Sequence, residues 1–335
     1  MPSVSVVVVN WNGAPLLPDC LGSLREQTFR DFEVVLVDNG STDDSVALAR
    51  ELLPGVRVVE VGTNSGFARG SNLGIREARG SQVVLLNNDT AAEPQFLEEL
   101  VRAAAPGPPV GMVAPKILSF FEPGVIDSVG GLVLTRDGIG QGRGRGEADR
   151  GQYDGLGRVL CPSGCAALYR REMLDDVGLL AEEFFAYCED SEMGLRATWA
   201  GWTAVAAPRA VVRHKYSVSA GTYSPLKLRL VERNHYWLAL RVFPLRRLLQ
   251  LPFWSLHRFG VMAWSLLHGR GKGGGTGGQA PALLAAFLRG HLEALAGAPS
   301  QLGRRRRIRR RIRGADFLAR MDGHLIPHSR AFLVP

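Results

Sequence analysis

The feature that most constrains the fold is a regular alternation within the first hundred residues. Short runs rich in Val and Leu lie at 4–9, 33–38, 56–61 and 82–87. Longer amphipathic stretches lie near 15–26, 43–53, 68–79 and 94–104. The short runs are almost continuously apolar, which predicts strands buried on both faces, and the stretches between them predict helices. Such an alternation is typical of an α/β fold with a mostly parallel sheet covered by helices on both faces.

Polar residues follow each predicted strand, at the place where open parallel sheets bind their ligands. A carboxylate at Asp38 can accept hydrogen bonds from a base or a ribose, Gly66 allows close backbone approach, and Arg69 can bind phosphate. Asp89 can hold Mg²⁺ or Mn²⁺ between two phosphates, because these ions prefer oxygen ligands. The candidate set at the strand ends is Asn10, Trp11, Asn12, Asp38, Gly66, Arg69, Asn72, Asn87, Asn88 and Asp89.

Each of these signals has an ordinary alternative. An Asp-Asn-Gly-Ser run is most often a turn, and Asn-Asn-Asp after a strand is often a helix cap. The acidic run 189–192 also suits the first turn of a helix, and a single histidine such as His214 is more often structural. The occurrence of the polar groups in order, at the ends of successive strands, is what favours a ligand site.

Several stretches of the chain resemble a known family. They are VVNWN at 8–12, VDNGSTD at 37–43, NSGFARGSNLG at 64–74, LLNNDT at 85–90, GCAALYRR at 164–171 and FFAYCEDSE at 184–192. The pattern is similar to the family 2 glycosyltransferases, and most of all to their rhamnosyltransferase-like branch. The resemblance continues through His214 to Arg233 and Asn234, so it covers roughly residues 4–240.

The resemblance implies a GT-A fold and an inverting, metal-dependent transfer from a nucleotide-sugar donor. It assigns base stacking to Trp11, a base contact to Asp38 and binding of Mg²⁺ or Mn²⁺ to Asp89. His214 matches a histidine that in some relatives reaches the metal or the diphosphate. Glu189 and Asp190 fall on the family's acidic motif, in which Asp190 would be the catalytic base.

Two positions depart from the family pattern. Asn87 stands at the first position of the Asp-x-Asp motif, which leaves Asp89 as its one carboxylate, and Glu192 stands where relatives often have Asp. The resemblance favours dTDP-rhamnose as donor, with a UDP-hexose as the alternative. It implies a glycan or lipid-linked acceptor in cell-surface polysaccharide synthesis. A catalytically inactive nucleotide- or glycan-binding module is the rival from another functional class.

Charge is divided unevenly along the chain. Residues 1–225 contain 20 Lys and Arg against 28 Asp and Glu, whereas residues 226–335 contain 20 against 4. This predicts an acidic globular body at 1–225. The resemblance implies that this body is the catalytic domain, with a nucleotide-sugar-binding part at 1–115 and an acceptor and base part at 116–225. A basic helical extension follows at 226–335. Within the domain, the Gly- and Arg-rich segment 136–158 is interpreted as a mobile substrate loop.

The extension has features that suit a membrane surface. Residues 248–267 carry too many polar side chains for a span, so they predict an interfacial helix with Trp254, Phe259 and Trp264 near headgroups. A helix packed on the protein core or on a second copy is an equal alternative. A Gly-rich linker at 269–278 and a helix near 282–296 follow.

The end of the extension contains eight arginines within residues 304–313. Ile308 and Ile312 would share one face of a basic helix, which favours an anionic membrane as the partner of 245–313. A solvated tail is the alternative. No fold-level nucleic-acid motif accompanies the arginines, so no nucleic-acid partner is expected.

Two observations predict the compartment. The four cysteines, Cys20, Cys161, Cys165 and Cys188, are too scattered for a disulfide framework, which indicates reduced thiols. The first residues have neither the basic start nor the cleavage site of a signal peptide. We therefore expect a cytoplasmic protein, peripherally bound at the inner face of the cell membrane.

Overall fold

A computed structural model describes residues 1–105, 109–215, 224–268 and 280–333. The strands are β1 (Val4–Asn10), β2 (Phe32–Asp38), β3 (Arg57–Glu60), β4 (Gln82–Asn87), β5 (Thr90–Ala92), β6 (Val110–Ser119), β7 (Ile126–Val129), β8 (Leu132–Leu134), β9 (Gly140–Gly142), β10 (Arg158–Val159), β11 (Ala166–Arg170) and β12 (Thr203–His214). The helices are α1 (Leu17–Arg25), α2 (Ser45–Leu52), α3 (Phe67–Glu77), α4 (Phe96–Ala103), α5 (Arg171–Val177), α6 (Glu189–Trp199), α7 (Pro225–Val242), α8 (Leu245–Leu267), α9 (Ala280–Arg305), α10 (Gly314–Asp322) and α11 (His328–Leu333). The predicted linker at 269–278 lies outside the described residues.

The alternation of strands and helices predicted for the first hundred residues is confirmed. β3, β2, β1 and β4 are neighbours in that order and run parallel. Beyond β4 the sheet is mixed, because β11 lies antiparallel between β4 and β6, and β12 returns parallel to β6. The full order is β10–β12–β6–β11–β4–β1–β2–β3, with β5 paired to β12 and β7 to β6.

Helices cover both faces of the sheet, as predicted. Alternate residues of β1 point to opposite faces. On one face Val4, Val6 and Val8 share an apolar cluster with α1 and α4. On the other face Val7 shares a cluster with α3 and α5. Since both faces are apolar, the polar groups of the parallel strands are confined to their ends.

The C-terminal helices share a core with the rest of the chain. Trp199 of α6 stacks on Phe317 of α10 with ring centroids 4.1 Å apart. α9 approaches α7 so closely at Gly297 that a Cβ there would lie 2.5 Å from the Trp237 ring. The third apolar cluster therefore joins residues from β8 and α6 to residues from α7, α8, α9 and α10.

A buried ion network connects segment 136–158 to the C-terminal helices. Arg258 of α8 is fully buried and donates to Asp137 at 2.7 Å and to both carboxylate oxygens of Glu232 at 2.7 and 2.9 Å. His328 of α11 lies 2.8 Å from the other oxygen of Asp137. The interpretation of 136–158 as a mobile loop is therefore wrong for its first part. This part is folded, with β8 and β9 paired around the buried Asp137.

The prediction of a basic helix across the arginine-rich segment is wrong. α9 ends at Arg305 and α10 begins at Gly314, so Ile308 and Ile312 lie on no common helix. Both isoleucines pack against the third apolar cluster. Arg309 and Arg311 pair with Asp176 at 2.6 and 2.7 Å. The segment is held on the surface of the domain by these contacts.

Exposed apolar side chains are concentrated instead on α8 and α9, and we refer to this set as the apolar stripes. They are Leu245, Leu249, Phe253, Leu256 and Trp264 on α8 and Leu284, Leu288, Leu292, Leu295 and Leu302 on α9, with exposed fractions of 42–76%. Of the predicted headgroup contacts only Trp264 belongs to the stripes, since Trp254 packs against His257 and His328, and Phe259 against Phe287. Among the described residues, no helix combines the length and hydropathy that crossing a bilayer requires.

Candidate active site

The ends of β1, β2 and β4 meet at one edge of the sheet. Asn10 is in register with Asp38 of β2, and Val9 is in register with Asn87 of β4. The structure therefore brings the predicted strand-end groups together, because neighbouring parallel strands end at the same edge.

Two side chains at the first two strand ends are free for a ligand. The Trp11 ring is 44% exposed, and Asp38 has one buried oxygen without a hydrogen-bond partner. The other oxygen of Asp38 accepts from the Ser41 backbone N–H at 3.2 Å. An exposed ring beside an unsatisfied carboxylate can stack on a base and accept its N–H.

The amides near these strand ends hold the loops in place. Asn10 is fully buried, and its Oδ1 accepts from Nδ2 of Asn88 at 2.8 Å, which ties β1 to β4. Asn12 has a positive φ of 48°, and its Oδ1 accepts from the Thr42 N–H at 2.7 Å. These contacts give Asn10, Asn12 and Asn88 a supporting role at the edge.

The glycine-containing segment after β3 is packed differently from the prediction. Gly66 is buried at a φ of 86°, and a Cβ there would lie 2.6 Å from the Phe185 ring, so protein occupies the space expected for a ligand. Asn72 is buried, donates to Leu180 O and Glu182, and accepts from Leu180 N. Asn72 therefore has a structural role in place of the predicted donor contact. Arg69 is exposed in the first turn of α3.

The end of β4 contains a chain of three side chains. His214 ends β12, which pairs with β5, so its ring lies beside Asp89, with Nε2 3.4 Å from Oδ1. That oxygen is buried and has no hydrogen-bond partner. The other ring nitrogen, Nδ1, is 2.6 Å from Asp127 on β7. Asp127 was missed by sequence reasoning. The signal that could have found it is a lone carboxylate inside the apolar run 125–134.

Electrostatics couple these groups. Burial alone would lower the pKa of the His214 imidazole, but Cys165, Asp127 and Asp89 favour its charged form and raise that pKa well above the usual range. Burial alone would raise the pKa of Asp127, and the hydrogen bond and charge of His214 lower it instead. Among the described residues, no three side chains of ligand type converge on one point. The buried oxygen of Asp89 facing the imidazole fits a divalent ion whose other ligands come from a bound diphosphate and which displaces the proton from Nε2 of His214 when it binds.

The acidic motif begins α6. Asp190 accepts from the Gly164 N–H at 2.8 Å and from the Ser191 N–H at 2.6 Å. The neighbouring Cys165 carbonyl accepts from the Asn87 N–H at 2.8 Å. Asp190 is thus fixed one residue away from the group that pairs with the end of β4, which brings the acidic motif to the strand-end edge.

The two carboxylates that begin α6 differ in their environment. Burial raises the pKa of Glu189 to about 8, and the charge of Asp190 adds to that shift. Burial also raises the pKa of Asp190, against the opposing hydrogen bonds from Gly164 and Ser191. Glu192 is fully buried and pairs with Arg196 at 3.0 Å, which gives it a structural role.

Comparisons with known proteins agree with this geometry. The family model described as Glycosyl transferase family 2 matches residues 5–178. An N-acetylglucosaminyl-diphospho-decaprenol L-rhamnosyltransferase of Mycobacterium tuberculosis (strain CDC 1551 / Oshkosh) is 30% identical over 240 residues, which cover 64% of this chain and 77% of that protein.

Solved structures support the fold. The mannosyltransferase PcManGT from Pyrobaculum calidifontis, in complex with GDP-Man and Mn²⁺, superposes with a TM-score of 0.54 at 20% identity, over 88% of this chain and 87% of its own. Staphylococcus aureus TarS 1–349 in complex with UDP-GlcNAc gives 0.53 at 17% identity, over 91% and 92%. The GT-A fold implied by the sequence is therefore confirmed.

Proposed function

The chain belongs to glycosyl transferase family 2, and from that premise we propose that it transfers a sugar, with inversion, from a nucleotide-sugar to a lipid-linked or glycan acceptor. The observation that carries the proposal is the position of the Asp190 carboxylate, hydrogen-bonded to Gly164 at the edge where Asp38 and Asp89 also lie. The name of the mycobacterial relative supports rhamnose as the sugar and a lipid-linked diphosphate sugar as the acceptor.

In the proposed reaction Asp190 accepts the proton of the acceptor hydroxyl while the hydroxyl oxygen attacks the anomeric carbon. The bond from that carbon to the nucleoside diphosphate breaks on the opposite side, so the configuration inverts. Trp11 and Asp38 bind the base, and Arg69 lies within the first turn of α3 as a phosphate-binding candidate. A divalent ion held by Asp89 and His214 would offset the charge that develops on the leaving diphosphate.

The test is donor turnover by the full-length protein. UDP-, dTDP- and GDP-sugars would be supplied with Mn²⁺ or Mg²⁺ and a polyprenyl diphosphate sugar acceptor, and released nucleoside diphosphate would be measured. We expect turnover of dTDP-rhamnose, with a loss of about 10²–10⁴-fold in Asp190→Asn and a comparable loss in Asp89→Ala. The matched control is Asp175→Asn, an exposed carboxylate on α5, which should keep full activity.

Each other outcome has a distinct meaning. Turnover of a UDP-hexose alone would replace rhamnose as the donor sugar. Metal-dependent binding of a nucleoside diphosphate without turnover of any donor would favour the inactive binding module. No nucleotide binding at all would contradict the proposed function.

We also propose that the protein contacts the cytoplasmic face of the membrane through the apolar stripes. Exposed apolar side chains lie next to exposed arginines, such as Arg246 beside Leu245, which suits an anionic lipid surface. The four cysteines are unpaired, which suits a reducing compartment.

Vesicle sedimentation tests this second proposal. With phosphatidylglycerol vesicles, the triple variant Leu249→Gln, Leu256→Gln and Leu292→Gln should lose at least tenfold in binding, because each buried Leu contributes about 1.5–3 kcal/mol. The control is Phe121→Gln, since Phe121 is equally exposed but lies outside the stripes. Unchanged sedimentation together with loss of a dimer would instead assign the stripes to a second copy of the chain.

A further inference from the structure

The backbone just before the acidic motif is strained. Phe185, Tyr187 and Cys188 have φ values of 66°, 70° and 68°, a left-handed region that residues with a Cβ rarely adopt. Phe185 has a ψ of −63°, and the Ala186 N–H donates to Phe184 O at 2.8 Å. This is a γ-turn of the rare kind with positive φ. We refer to residues 184–188 as the strained turn.

One side chain of α7 binds the carbonyl groups of the strained turn. Asn234 is fully buried, and its Nδ2 lies 2.9 Å from Phe184 O, 2.8 Å from Ala186 O and 2.8 Å from Tyr187 O. An amide has two N–H donors, so three acceptors at this distance use its donor capacity in full. A buried carbonyl without a donor is costly, so the amide stabilises a conformation that the backbone alone disfavours.

Arg233 orients that amide. Its Nε donates to Asn234 Oδ1 at 2.9 Å, and its Nη2 donates to Phe184 O at 2.9 Å. The oxygen of Asn234 is therefore turned towards the guanidinium and the nitrogen towards the turn. The guanidinium also lies over the Trp237 ring, 4.3 Å from its centroid, which fixes it on α7.

The strained turn lies between this pair and the strand-end edge. The Ala68 N–H of α3 donates to Phe185 O at 3.0 Å, and the Phe185 ring fills the space above Gly66. The turn ends at Cys188, and the Glu192 N–H donates to Cys188 O at 2.9 Å to form the first turn of α6. Asp190 belongs to that first turn, so the path of residues 184–188 sets where its carboxylate meets Gly164.

We propose that Asn234, oriented by Arg233, is a positioning residue for Asp190. It holds the strained turn so that the carboxylate reaches the acceptor hydroxyl. The proposal rests on the proposed function, in which Asp190 is the base, and adds a requirement for the C-terminal helix α7. Asn234 contacts neither donor nor acceptor in this scheme.

The test compares Asn234→Ala and Asn234→Asp with a neighbour on the same helix. Asn234→Asp keeps the shape of the side chain and removes its N–H donors. The control is His235→Asn, because His235 is equally buried but contacts Val231 O and Arg258 instead of the turn. We expect both Asn234 variants to lose about 100-fold in kcat, the effect of a misplacement of about 1 Å, with the Kd of the nucleoside diphosphate unchanged within about twofold. The control should keep its kcat.

A second measurement does not depend on activity. Cys188 is partly exposed, whereas Cys20, Cys161 and Cys165 are buried, so native-state labelling with N-ethylmaleimide, located by peptide mass spectrometry, reports on the turn. Asn234→Ala should label at Cys188 at least tenfold faster than the wild type, and His235→Asn should not. If the wild type is active and the Asn234 variants keep both its kcat and its labelling rate at Cys188, the positioning role is wrong. A wild type that turns over no donor contradicts the proposed function itself.

Discussion

The parallel half of the sheet and the C-terminal helices are built on different principles. In β3–β2–β1–β4 the strands are apolar on both faces, and the polar groups lie at their ends, where Asn10, Asp38 and Asn87 meet through backbone pairing alone. In α7–α11 charged side chains enter the interior, and Arg258 is fully buried between Asp137 and Glu232. The first region therefore presents chemistry at an edge, and the second uses buried polar contacts to fix helices against the first.

The largest expected effect is on stability. It is predicted for a variant that tests whether the buried ion network stabilises the packing of the C-terminal helices. Arg258→Met leaves Asp137 and Glu232 buried without their cation, which typically costs about 3–5 kcal/mol. We expect a loss of that size in the free energy of unfolding, measured by urea denaturation. The control is Arg246→Met on the same helix, where the side chain is exposed, and it should change stability by less than about 0.5 kcal/mol. Equal stability of the two variants would mean that the network contributes little.

The next prediction concerns the strand-end edge. Asp127 holds Nδ1 of His214, and removal of such a partner typically lowers metal affinity by about 10–100-fold. We expect Asp127→Asn to raise the Kd of the Mn²⁺–nucleoside diphosphate complex by that factor in calorimetry, with metal-free nucleotide binding unchanged. Asp154→Asn, an exposed carboxylate paired with Lys116, is the control. An unchanged Kd would remove His214 from the ion site.

The contacts of Asp127 with His214 and of Arg258 with Asp137 also show the limit of prediction from the sequence. The strands and helices of the first hundred residues follow from local patterns, so their predicted positions agree with the structure within a few residues. Asp127 and His214 are 87 positions apart, and Arg258 and Asp137 are 121 apart. No local pattern pairs such residues, because only the folded chain brings β7 to β12 or α8 to the segment after β8.

The wrong prediction of a helix across the arginine-rich segment shows the same limit of local sequence patterns. Spacing of four residues placed Ile308 and Ile312 on one helix face, but they pack in an irregular segment against the third apolar cluster. The residue types at Gly66 and Asn72 correctly indicate that another group packs closely against them. In the structure that group is protein, Phe185 at Gly66 and Leu180 at Asn72, instead of the predicted ligand. The residue types of a segment predict that it will be closely packed or charged. They do not predict which part of the protein, or which ligand, it contacts.

A smaller effect should appear as pH dependence. Burial and the charge of Arg258 lower the pKa of His235 to about 4. An unfolded histidine titrates near about 6.5, so between these values the unfolded chain binds more protons and stability falls as pH decreases. We expect a slope of about 1 kcal/mol per pH unit between pH 6.5 and 4, measured by urea denaturation. Because Glu232 and Asp137 also face this ring, the slope should be compared with that of His235→Asn, which should be shallower. Equal slopes would assign the acid sensitivity to other groups.

The smallest expected effect concerns the surface of the extension. Arg309 and Arg311 pair with Asp176, but both arginines are more than half exposed, and exposed ion pairs contribute about 0–1 kcal/mol. Asp176→Asn should therefore lower the free energy of unfolding by less than about 1 kcal/mol, and by less still at high salt, where exposed pairs are screened. Arg258→Met under the same conditions should keep its full loss, because water and salt do not reach a fully buried pair. A large, salt-independent loss in Asp176→Asn would mean that the arginine-rich segment is held as firmly as the buried network, and the contrast between buried and surface charges in the C-terminal helices would fail.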